Sequence, residues 1–158
     1  MRSAVNTRTA VITCMATLYA GMLLPCPAAE DLKLRPGISF SQDIDNGFPI
    51  VADKMDDVTV DHSRPTLIFF GASGDLNTNR QAKRVVDIYK KNRSTHIKFV
   101  IVDVDHATTP ECKDLLKVWY RGYIPAEILL DKDGKKVWSQ IGETDNRVIQ
   151  TQIDKVLE

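Results

Sequence analysis

The sequence predicts an α/β fold, a three-layer sandwich whose central mixed sheet carries helices on both faces. Strand-like and helix-like segments alternate in the order β-α-β-α-β-β-α. Residues 66–70 form a continuous apolar run, as is typical of a strand covered on both faces, and residues 97–104 predict a second buried strand. Because a helix-like segment joins them, they predict a right-handed parallel crossover. Asp133-Gly134 joins the strand-like residues 126–130 and 137–141 and predicts an antiparallel hairpin, which makes the sheet mixed.

Three segments predict the helices. Apolar side chains recur at helical spacing in the first and the third segment. The second segment has Pro110 in its first turn and ends near Arg121-Gly122. Residues competent to cap a helix stand at each start: Asp75, Asn77 or Thr78 for the first, Thr109 for the second, and Thr144 or Asp145 for the third.

The start of the chain predicts a secretory signal peptide over residues 1–29. A positively charged beginning is followed by an apolar run over residues 10–24 and by small residues, so that cleavage is expected after Ala28 or Ala29. A lipid anchor at Cys26 is an alternative, but a proline precedes it where a lipid-attachment motif has a small residue. The protein is therefore expected to be periplasmic or secreted.

The rest of the chain divides into an N-terminal extension, residues 30–57, and a folded domain, residues 58–158. Short β-like pieces are predicted at 48–52 and 58–60. The chain has 21 basic and 21 acidic side chains, and two of the basic ones lie in the predicted leader. The remaining charge of about −2 does not indicate a nucleic-acid partner. Neither an integral membrane span nor a cofactor is expected, and the oligomeric state is not predicted.

Residues 66–85 also resemble a nucleotide-binding turn, because a strand is followed by Gly71 and Gly74 and then by a helix. That interpretation needs an acid after the next strand. Asp103 and Asp105 lie about 30 residues past Gly74, where roughly 20 is usual. An antiparallel hairpin then follows in place of further parallel units, so nucleotide binding is the weaker interpretation.

Several segments resemble the thioredoxin superfamily, including its periplasmic TlpA-like members, and the resemblance covers about residues 58–158. The matching segments are Thr66–Ala72 before the active loop, Phe99–Asp105 in the next strand, Arg121–Pro125 in the cis-proline loop, Ile128–Lys135 in the hairpin, and Ile141-Gly142. The resemblance implies a thioredoxin-like sandwich and a cis Ile124–Pro125 bond. It also implies a peptide-binding surface formed by Asp75, Thr78, Ile124, Pro125 and Gly142.

The catalytic residues of that family are missing. Along its motif the two cysteines fall on Asp75 and Thr78, the preceding tryptophan on Gly74, and the buried acid on Phe69. Thiol–disulfide exchange needs a reactive thiolate and a second, resolving thiol. The resemblance therefore implies a redox-inactive protein with no catalytic residue. Its loop is either capped scaffold or part of a surface for a protein or peptide partner in the cell envelope.

Cys112 supports an alternative, an enzyme with single-thiol redox chemistry. It is the one cysteine of three outside the predicted leader, so an internal disulfide is not expected in the mature chain. Its place three residues after Thr109, near the positive end of a helix, favours a lowered pKa. A lone cysteine on a helix is more often simply packed. Asp103, Asp105, His106 and Cys112 match no common metal-site spacing, so no metal is predicted.

Glu127 and the basic first helix leave questions open. Glu127 lies in an otherwise apolar strand. If its side chain points inward, it must be paired or protonated, with a raised pKa; if outward, it is an ordinary surface residue. The first helix carries many basic residues and one acid, which usually marks a solvated face and less often an acidic partner.

Overall fold

The computed structural model describes residues 31–55 and 57–158. The predicted signal peptide, with the alternative anchor Cys26, lies outside the described residues. No helix in the described part is both long and apolar enough to cross a membrane. In chain order the elements are β1 (Lys33–Leu34), β2 (Ile50–Val51), β3 (Thr66–Gly71), α1 (Leu76–Lys91), β4 (Lys98–Asp103), α2 (Pro110–Trp119), β5 (Ala126–Leu130), β6 (Lys136–Ile141) and α3 (Asn146–Leu157).

The main sheet has the strand order β4-β3-β5-β6. β3 and β4 run parallel, with Ile68 opposite Val100. β5 is antiparallel to both of its neighbours, so that Ile128 lies opposite Ile68 in β3 and opposite Ser139 in β6. The sheet is therefore mixed, which confirms the fold class predicted from the parallel crossover and the hairpin.

Side chains alternate between the two faces of the sheet and form two hydrophobic clusters. On one face, Phe69 and Leu129 pack with α1 and α3. On the other, Phe70 and Ile128 pack with α2. Helices thus cover both faces, and the three-layer arrangement of a thioredoxin-like fold is confirmed.

The N-terminal extension contributes to the core. Leu32, Phe48 and Ile50 are buried in the cluster that contains α1 and α3. β1 and β2 pair antiparallel as a separate two-stranded sheet, with Leu34 opposite Ile50. The boundary at residue 58 stays a prediction, but these residues of the extension share the main core.

The predicted β-like piece over 58–60 is wrong, since these residues form no strand. Acidic side chains on either side bind the local backbone. The Thr59 N–H donates to Asp57 Oδ1 (3.3 Å), and the Ser63 N–H donates to Asp61 Oδ1 (2.9 Å). Such local side-chain hydrogen bonds compete with strand pairing.

Candidate functional site

One end of the main sheet brings together three of the segments that carry the resemblance, the active-loop, cis-proline-loop and Ile141-Gly142 segments. Phe70, near the end of β3, lies opposite Ala126 at the start of β5. Ala126 in turn lies opposite Ile141 at the end of β6. Just beyond these strands, the Gly142 N–H donates to the Pro125 carbonyl oxygen (2.8 Å). The start of α1, the loop before β5 and the end of β6 therefore form one region, the candidate site.

Asp75 caps α1. Its Oδ1 accepts the Thr78 N–H (2.5 Å), which satisfies one of the free donors of the first helical turn. Of the three predicted caps, Asn77 is exposed and Thr78 is fully buried. The Ala72 N–H donates to Thr78 Oγ1 (3.4 Å). The structure thus places Asp75 at the edge of the site and Thr78 beneath it, within the protein.

Gly71 is required by the packing of Thr78. A Cβ atom at Gly71 would lie 2.5 Å from Thr78 Cγ2 and 3.2 Å from the Phe69 ring. The first turn of α1 also leaves little room for a phosphate, because carboxylates accept the N–H groups of Leu76 and Thr78. The glycine that resembles a nucleotide-binding turn therefore has a packing explanation.

Residues 39–45 of the N-terminal extension lie across the start of α1, a placement that the sequence did not predict. We call these residues the strap. A Cβ atom at Gly74 would lie 3.2 Å from Asp45 Cβ, so the strap also contacts the loop before α1. Three hydrogen bonds from α1 hold the strap: Leu76 N–H to Asp43 Oδ1 (2.8 Å), Asn79 Nδ2 to the Ser39 carbonyl oxygen (2.9 Å) and Arg80 Nε to the Phe40 carbonyl oxygen (3.2 Å).

The loop before β5 exposes apolar side chains. The Ile124–Pro125 bond is cis, Pro125 is buried, and Ile124 is half-buried. Tyr123 is 63% exposed and Ile141 is 51% exposed. Both line a groove between the end of α2 and the β5–β6 pair, which also has Arg121 in its lining.

Glu127 points inward and is fully buried. Gln81 Nε2 donates to Glu127 Oε1, and Thr144 Oγ1 lies 3.4 Å from Glu127 Oε2. Burial raises the pKa of Glu127 to about 7, although these hydrogen bonds and the Arg84 charge act in the opposite direction. In the family that the chain resembles, a buried acid stands at the position that Phe69 has here. In this chain the buried acid is Glu127, which lies directly opposite Phe69 on the neighbouring strand β5.

Cys112 lies in the first turn of α2 and is 8% exposed. Its N–H donates to the capping Thr109 Oγ1 (3.2 Å). Asp103 and His106 line the same small cavity. The hydrogen bond between His106 Nδ1 and Asp103 Oδ2 (2.8 Å) raises the pKa of His106. Within residues 31–55 and 57–158, no group of three or more His, Cys, Asp or Glu side chains is placed to hold a metal ion.

Comparison with known proteins supports the fold. No protein-family model and no curated protein sequence matches the chain. Among solved structures, thioredoxin-2 of the malaria parasite is similar at 17% identity and a TM-score of 0.50, over 58% of this chain and 82% of that one. A variant thioredoxin from Halobacterium salinarum is similar at 22% identity and a TM-score of 0.51, over 66% and 83%. The chain has a thioredoxin-like fold, and identities of this size show the fold alone.

Proposed function

We propose that this chain is an exported thioredoxin-fold protein that lacks dithiol chemistry and binds a protein or peptide partner in the cell envelope. The observation that carries the proposal is that Asp75 and Thr78, the residues aligned with the family's cysteines, both have structural roles. The Asp75 carboxylate is a helix cap for the Thr78 N–H, and Thr78 is buried. Neither side chain can exchange electrons with a substrate thiol. Export rests on the predicted signal peptide.

The surface beside this loop supports the binding role. Tyr123 and Ile141 are both more than half exposed and line one groove next to Pro125. Exposed apolar side chains that cluster together are typical of interaction sites. A partner that covers Tyr123, Ile124, Ile141 and Gly142 would remove this apolar surface from water.

Site-specific photo-crosslinking tests this proposal. A photo-reactive side chain at Tyr123 is expected to capture a partner of defined mass when the chain is expressed in cells that export it. The same group at Lys132, in the hairpin at the other end of β5, is the matched control and should capture nothing specific. Ile141→Asp should abolish the Tyr123 adduct. Equal labelling from Tyr123 and Lys132, or an adduct that Ile141→Asp leaves unchanged, would contradict the proposal.

Single-thiol redox chemistry at Cys112 is the second candidate. It is favoured by the cavity that Cys112 shares with His106 at the start of α2. Against it, the Cys112 residue is 8% exposed, whereas reactive thiols sit in partly accessible surroundings.

A further inference from the structure

The strap is the tip of a loop whose base is part of the core. The base is closed by the β1–β2 pair and by the hydrogen bond from Arg35 N–H to the Pro49 carbonyl oxygen (2.8 Å). Phe48 beside it is buried in the core. At the tip, Phe40 is 41% exposed and Ile44 is 42% exposed. Polar contacts with α1 therefore hold the tip, while apolar packing holds the base, which is the pattern of a locally weak segment on a stable frame.

The helix surface beneath the strap has a hydrogen-bonding group that the strap does not satisfy. Asn79 is fully buried, and its Nδ2 donates to the Ser39 carbonyl oxygen. Its Oδ1 is buried with no hydrogen-bond partner among the described residues. A buried acceptor without a donor costs free energy. A peptide backbone that presents both a C=O and an N–H to Asn79 would accept a hydrogen bond from Nδ2 and donate one to Oδ1.

We propose that the first turn of α1 is a peptide-binding site that the strap occupies from within the same chain. An extended acidic segment of a partner competes with the strap for this site. The bound strap defines the chemistry of that segment. Two successive backbone carbonyls accept hydrogen bonds from Asn79 and Arg80, and a carboxylate three residues further along accepts the Leu76 N–H. Negative charge at this position also complements the helix dipole.

This inference rests on the proposed binding function, because the strap borders the same surface. Arg80, which holds the strap, also lies 3.6 Å from Glu143 Oε1, one residue beyond Gly142. Asp45 of the strap lies against Gly74, next to Asp75. A partner that displaces the strap would therefore extend from the start of α1 towards the groove at Tyr123 and Ile141.

Competition by the strap's own sequence tests the proposal. The probe is a fluorescent synthetic peptide with the sequence of residues 38–46, added to the purified full chain. Asp43→Ala removes the carboxylate of the internal strap and leaves α1 unchanged. We expect this variant to bind the peptide about tenfold more tightly than the wild type, since a charged hydrogen bond of about 1.5 kcal/mol no longer favours the closed strap. Asp53→Ala, another exposed carboxylate of the extension, is the matched control and should leave the affinity unchanged.

Two further measurements complete the test. Hydrogen exchange at the Leu76 amide should be faster in Asp43→Ala and should slow again when the peptide is added. A peptide with asparagine in place of its aspartate at position 43 should bind about tenfold more weakly. The inference is overturned if Asp43→Ala does not bind the peptide, or if its Leu76 amide exchanges as slowly as in the wild type. If the Tyr123 crosslink still forms in that case, the proposed function stands and the strap inference fails. If the peptide binds as expected but no Tyr123 crosslink forms, the strap inference stands and the proposed function fails.

Discussion

Replacing Glu127 by glutamine is expected to stabilise the protein by about 3 kcal/mol at pH 8 and to change its stability little near pH 4. Burial raises the pKa of Glu127 from 4.5 to about 7. Below pH 4.5 the carboxyl is protonated in both the folded and the unfolded chain. Between pH 4.5 and 7 the folded state keeps the proton that the unfolded state has released. The free energy of unfolding therefore falls as the pH rises through this window and is level above it.

Glutamine preserves the local contacts without the ionisation. Its carbonyl oxygen can accept from Gln81 Nε2, and its amide can donate to Thr144 Oγ1, the two partners that Glu127 has now. Urea denaturation of both proteins from pH 4 to pH 8 measures the effect, with Glu111→Gln as the matched control at an exposed acid of α2. A wild-type pH dependence that Glu127→Gln leaves intact would show that Glu127 is not protonated in the folded state.

Gly71→Ala is expected to destabilise the protein by about 2 kcal/mol. The new Cβ would lie 2.5 Å from Thr78 Cγ2, so the first turn of α1 must move. Thr78→Ser removes that methyl group and keeps the hydroxyl that accepts the Ala72 N–H. The clash needs both the methyl group that Gly71→Ala introduces and the Cγ2 methyl group of Thr78. We therefore expect the double variant to be at least about 1 kcal/mol more stable than the sum of the two single effects predicts.

A double-mutant cycle of four proteins measures this coupling by chemical denaturation. The single variant Thr78→Ser is the internal control, since it loses only the packing of one buried methyl group, which costs about 1 kcal/mol. If the two substitutions prove additive within about 0.5 kcal/mol, contact with Thr78 does not explain the glycine.

The fold was largely predictable because its signals are local. Two mainly apolar segments predicted the two buried parallel strands, and Asp133-Gly134 predicted the hairpin between β5 and β6. Asp75 and Thr109 were among the predicted caps, because a capping residue binds the backbone of its own helix.

The features that sequence reasoning missed depend on distant contacts or on competing local ones. The hydrogen bond between Asp43 and Leu76 joins residues that are 33 positions apart in the sequence, and no periodic pattern of residues predicts such a contact. The inward direction of Glu127 follows from its register opposite Phe69. Thr78 belongs to the interior because Gly71 leaves space for it. At residues 58–60, where no strand forms, the Asp57 side chain accepts the Thr59 N–H, which competes with strand pairing.

The central claim is that the loop before α1 has the place of a thioredoxin active loop but no electron-transfer chemistry. An insulin-reduction assay of the wild type beside the double variant Asp75→Cys/Thr78→Cys tests it most directly. The wild type is expected to reduce insulin no faster than the added dithiol alone. The double variant is expected to form an internal disulfide and to accelerate the reaction. Reduction by the wild-type chain that Cys112→Ser abolishes would contradict the claim and assign the chemistry to that thiol.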